Sequence, residues 1–110
     1  MNVYDTSNRL AQEIRQSEEY LKYKKRKDEI SQDPELKKEV EEFEKLRYEV
    51  QLLEYTGEKK DEEKNKKLEE MYKVLVENSI IKEYFDLEVK FNIMIADVNK
   101  IIAESIKDVL

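Results

Sequence analysis

Between Asp33 and Gly57 the apolar residues Leu36, Val40, Phe43, Leu46, Val50 and Leu53 recur at steps of 4, 3, 3, 4 and 3. That spacing lays a single stripe along one face of a helix. Both ends of the helix are marked as well. Asp33 can accept hydrogen bonds from the exposed amides of a first turn, and Pro34 fits the first helical position, where its missing N–H costs nothing. Pro34 also biases Asp33 away from helical geometry. Gly57 supplies the left-handed residue that often closes a helix. The pattern predicts a helix over 34–55 with one face in need of a partner.

Upstream, Asp5, Thr6 or Ser7 can cap a helix carrying Leu10, Ala11 and Ile14. Ser17 either opens a second helix, with Glu18 and Glu19 in the dipole-favoured first turn, or lies inside one run over 5–31 through Tyr20, Tyr23 and Ile30. Downstream, residues 58–67 (EKKDEEKNKK) contain no apolar side chain. A short loop to Asp61 and then a helix over 61–77 is expected, with Leu68, Met71, Tyr72, Leu75 and Val76 as its stripe. Glu62/Lys66 and Glu63/Lys67 pairs would add about 0.2–0.5 kcal/mol each. Asn78-Ser79 then breaks that helix and starts the last one, over 80–109. There Tyr84, Leu87, Phe91, Met94, Val98, Ile101 and Ser105 alternate by 3 and 4, flanked by Ile81, Glu88, Ile95 and Ile102. Such a helix spans roughly 45 Å, and its apolar band is wider than one neighbour covers. The 33–57 helix is the expected antiparallel partner, and a second chain is expected to cover the rest. The pattern therefore predicts one all-α domain over 1–110: an elongated helical hairpin or bundle of four to five helices, forming a homodimer or larger assembly. Val40, Phe43, Val50, Phe91, Met94 and Ile95 are the expected packing or self-association residues.

Composition sharpens this picture. Charged residues make up 44% of the 110-residue chain, with one Gly and one Pro, a balance suited to long helices with much surface and few turns. The net charge of −6 argues against nucleic acid or an anionic membrane as the main partner. Without Cys or His, the chain lacks thiolate and imidazole chemistry. No catalytic residue, metal or cofactor is expected. The polar N-terminus and the lack of a long apolar run predict a cytoplasmic protein with no membrane span.

Four features could carry chemistry, and each has a plainer reading. Glu35, Glu39, Glu41, Glu42, Glu44 and Glu49 crowd the central helix, but Lys37, Lys38, Lys45 and Arg47 interleave with them as on a solvated face. Residues 20–27 (YLKYKKRK) place five cations beside two tyrosines, a combination that can hold single-stranded RNA by phosphate contact and base stacking. Tyr20, Lys24, Lys25 and Lys27 would make that contact. The plainer reading is a core stripe with lysines round its edge. Tyr48, Tyr55, Tyr72 and Tyr84 suit either an interface or a half-buried core. Finally, the polar face of the last helix mixes both signs of charge, which suits protein packing better than a lipid surface.

Three stretches, NVYDTSNRLAQEIRQSEEYLKYK, DPELKKEVEEFEKLRYEVQ and ENSIIKEYFDLEVKFNIMIADVNKII, together resemble the YlbF/YmcA/YheA family of small helical bacterial proteins, closest to the YheA-like branch. The likeness covers almost the whole chain and rests on helix-packing patterns. It implies an all-helical, elongated, oligomeric cytoplasmic protein. Two branches of the family act in competence, sporulation and biofilm formation. They join a complex that modulates a membrane-anchored endoribonuclease. Those branches hold iron–sulfur clusters on cysteines that this chain lacks, so no cluster carries over. Ser79 stands where relatives often have Pro after Asn78, and it starts a helix equally well. The expected function is that of a non-enzymatic interaction or regulatory protein, with a protein partner in an RNA-processing complex. The alternative is direct RNA binding through residues 20–27.

Overall fold

A computed structural model describes residues 2–57 and 61–110. They form five α-helices: α1 (Val3–Gln16), α2 (Glu18–Ser31), α3 (Pro34–Thr56), α4 (Glu62–Leu75) and α5 (Ser79–Ile106). A 3-10 turn over Lys107–Val109 follows α5. There is no strand among the described residues. The loop expected before Asp61 falls largely on residues 58–60, outside the described residues.

Short polar side chains set the helix boundaries. Asp33 accepts from the amides of Glu35 and Leu36 at 3.1 and 3.3 Å and starts α3. Gly57, at φ 73°, ends that helix in the left-handed region, its N–H donating to Glu54 O at 3.3 Å. Asp61 accepts from Lys64 N at 3.1 Å to start α4, and Asn78 accepts from Ile80 N and Ile81 N at 2.9 and 3.2 Å to start α5. At the N-terminus the cap is Asn2 rather than Asp5, Thr6 or Ser7: its Oδ1 accepts from Asp5 N at 2.9 Å. Helix therefore begins a turn earlier, which leaves Asp5 in the first turn, where the dipole favours an acid. The run over 5–31 is broken at Ser17, whose ψ of 150° is extended. The Ser17 hydroxyl donates to Ile14 O and accepts from Tyr20 N, so one residue closes α1 and starts α2.

The chain divides into two compact units, Met1–Lys27 with Tyr84–Leu110, and Asp28–Glu83. In the second unit α3 and α4 form an antiparallel hairpin. The Phe43 and Tyr72 rings lie 6.1 Å apart, and Lys64 pairs with Glu49 at 3.7 Å. The expected Glu62/Lys66 and Glu63/Lys67 pairs are not among the ion pairs of the described residues. Ile30, Val40, Phe43, Val50, Leu75 and Ile81 are this unit's buried apolar residues. In the first unit the aromatic stretch of α5 meets α2. Tyr23 stacks on Tyr84 with centroids 5.3 Å apart, and its ring lies 5.4 Å from Phe91. Tyr20 lies 6.2 Å from the same Phe91.

Within the second unit α3 packs on α4, and within the first the rings of α5 are met by α2. A short connection favours an antiparallel neighbour in sequence, and the two tyrosines of α2 supply ring faces matched to Tyr84 and Phe91. The one polar flank position, Glu88, is also accounted for: it accepts from the Tyr23 hydroxyl at 3.4 Å.

Candidate functional site

The six residues expected to pack or self-associate separate by burial. Val40, Phe43 and Val50 are buried within the second unit, while Phe91, Met94 and Ile95 of α5 are half-buried. Exposed apolar side chains occur on several helices, and a run of them lies towards the end of α5. Ile101 is 71% exposed and Ile102 51%; Ile106 is also exposed, as are Val109 and Leu110 in the turn beyond. Ile95 and Ile102 lie seven residues apart on one line of α5, Ile106 lies one turn beyond Ile102, and Val109 follows in the 3-10 turn after the helix. Ile106, Val109 and Leu110 were not singled out from the sequence. The signal was present, because the same periodicity runs on past Ile101. Mixed charge borders the line, with Lys107 donating to Glu104 at 3.0 Å.

The basic stretch of α2 divides in a similar way. Lys24, Lys25 and Lys27 are exposed. The tyrosines beside them are half-buried against α5, and the Arg15 guanidinium stands 5.5 Å over the Tyr20 ring. The rings that base stacking would use are thus engaged within the chain. Lys22 pairs with Glu18 one turn earlier. That hydrogen bond and the charge of Lys22, with Lys90 adding a smaller attraction, hold the Glu18 carboxyl below its ordinary range. The two residues belong to a groove of about 360 Å³ lined by Glu18, Glu19, Lys22, Leu87, Lys90 and Ile93.

The glutamates of α3 do not converge on a cation: among the described residues no group of three or more Asp or Glu is placed to hold a metal. No helix there is long and apolar enough to cross a membrane. What the molecule presents is helical surface, in three kinds: an apolar line on α5, a lysine edge on α2, and grooves between paired helices.

A family profile described as control of competence regulator ComK, YlbF/YmcA, matches residues 3–107. The chain belongs to the YlbF/YmcA family. Its curated relatives within the family include a UPF0342 protein of Caldicellulosiruptor bescii, 33% identical over 96% of this chain and 89% of the relative. Another, from Desulfitobacterium hafniense, is 34% identical over 100% of this chain and 89% of the relative. A third, from Streptococcus pneumoniae, is 32% identical over 99% and 97%. All five helices of this YlbF/YmcA member fall within the matched span.

Proposed function

We propose that this YlbF/YmcA protein is a non-enzymatic regulatory adaptor in bacterial RNA processing or developmental control. On this reading it associates with itself through the end of α5 and holds a protein partner on its remaining faces. The carrying observation is the exposed line of Ile101, Ile102, Ile106 and Val109. Contiguous apolar surface of that kind marks protein contacts. The family description, control of a competence regulator, supports a regulatory role. The mixed charge beside the line favours protein over lipid.

The test is a tagged recovery of the chain from its own cells, with and without ribonuclease, for the wild type and for the Ile101→Asp/Ile102→Asp variant. The expected result is a defined protein partner that survives ribonuclease with both proteins, while untagged copies of the chain are recovered with the wild type and lost with the variant. Recovery that collapses with ribonuclease, and with Lys24, Lys25 and Lys27 changed to Glu, would replace the adaptor reading with direct RNA binding. Recovery of the chain alone would remove the partner.

A further inference from the structure

The α3–α4 hairpin carries a groove of about 350 Å³ whose floor and rim differ in character. Met71, Val74 and Leu75 of α4 line it with apolar side chains, and Val74 is 66% exposed. Glu39 and Glu42 of α3 stand on one side, and Glu70 of α4 on the other. None of these three carboxylates has an ion pair or side-chain hydrogen bond among the described residues. The same hairpin does pair glutamates elsewhere: Glu49 with Lys64 at 3.7 Å and Glu44 with Arg47 at 3.7 Å. A second groove of the hairpin, lined by Phe43, Leu68, Glu69, Tyr72 and Lys73, carries one charge of each sign. The groove of α2 and α5 is balanced too, with Glu18 and Glu19 against Lys22 and Lys90. An apolar floor under an all-acidic, unpaired rim sets the Glu39/Glu42/Glu70 groove apart from both.

We propose that this groove docks a basic amphipathic helix of a partner protein, its aliphatic anchors resting on Met71, Val74 and Leu75 and its Lys or Arg side chains meeting Glu39, Glu42 and Glu70. Three like charges round an apolar floor repel phosphate and acidic peptides, and they gain most from an occupant that brings cations and apolar groups together. The walls are two antiparallel helices with no free strand edge, so the matching shape is a third helix laid along them with anchors at i and i+3 or i+4. Glu70 to Leu75 rises roughly 7.5 Å along α4, enough for about one and a half turns of the visitor. The proposal is independent of self-association through α5, because it uses none of those residues.

The experiment is a fluorescence-anisotropy titration of the full chain with a labelled helical peptide. Its leucines recur at i, i+3 and i+7, and lysines flank them. A matched peptide carries Glu in place of Lys. The expected result is saturable binding of the lysine peptide only. Affinity should fall about tenfold in the Glu39→Gln/Glu42→Gln/Glu70→Gln protein, and should stay within about twofold in a Glu13→Gln/Glu54→Gln/Glu104→Gln protein of the same net charge. Val74→Asp, at an exposed position, should abolish binding while leaving helical circular dichroism intact. Equal loss in the two triple variants, equal binding of the two peptides, or no binding overturns the proposal. So does a photo-cross-linker at position 74 that joins two copies of this chain and not the peptide.

Discussion

Glu18 occupies the first turn of α2 with a cation on either side: Lys22 bonded to it one turn on, and Lys90 of α5 acting through charge. Both favour the ionised carboxylate. A carboxyl held lower in the fold than in the unfolded chain stabilises above its unfolded value, and that stabilisation is lost as pH falls through the folded value. The contribution is thus present at neutral pH and disappears in acid. An NMR titration of the Glu18 carboxyl should give a value below the ordinary glutamate range, and Lys22→Ala should return most of it; an unchanged titration would mean that the pair does not form in solution. The two phenylalanines named from periodicity differ in a way that can be measured. Phe43 is buried and Phe91 is half-buried, so Phe43→Ala should cost about 3–5 kcal/mol and Phe91→Ala less. Urea unfolding of both proteins would establish the order.

At the level of elements, the helices are bounded by side chains whose action is local, and this is why so much of the fold could be read in advance. Asp33, Pro34 and Gly57 each act through their own backbone and nearby amides, with no help from tertiary contacts. Asp33→Ala should cost about 1 kcal/mol by exposing two amide donors, and Gly57→Ala about 1–2 kcal/mol by forcing a Cβ into the left-handed region. Thermal melts would show both, and a neutral Gly57→Ala would contradict the positive φ. Where several residues could serve equally, the sequence was ambiguous: Asn2, Asp5, Thr6 and Ser7 are all competent caps, and only the realised geometry selects Asn2. The partner of α5 was ambiguous for a deeper reason. A stripe states which face is buried, not which other stripe covers it. The contact of Tyr20 and Tyr23 with Phe91 was not anticipated from the pattern; the ring geometry shows it.

For the whole molecule, the candidate surfaces were half legible. The apolar band of α5 was visible as a periodicity. How much of it the chain's own α2 would cover depended on tertiary pairing, and so the expected contact residues Phe91, Met94 and Ile95 are half-buried while Ile101, Ile102 and Ile106 near the end of the helix are exposed. Sedimentation equilibrium should show a multiple of the 13.3 kDa chain mass, falling to a single chain in the Ile101→Asp/Ile102→Asp protein with its helicity kept. A single-chain mass in the wild type would remove self-association. The acidic groove was not legible at all, since the glutamates of α3 read as one solvated row, and only the hairpin shows which of them border an apolar floor. The stacked rings of Tyr23 and Tyr84, 5.3 Å apart, have an optical consequence. With seven tyrosines and no tryptophan, all of the chain's longer-wavelength ultraviolet emission comes from phenols, and two phenols held face to face couple their transitions. Ellipticity in the tyrosine band therefore weights the packing of α2 on α5, while the far-ultraviolet signal counts helix everywhere, so one melt recorded at both wavelengths separates the loosening of that contact from the loss of the helices themselves.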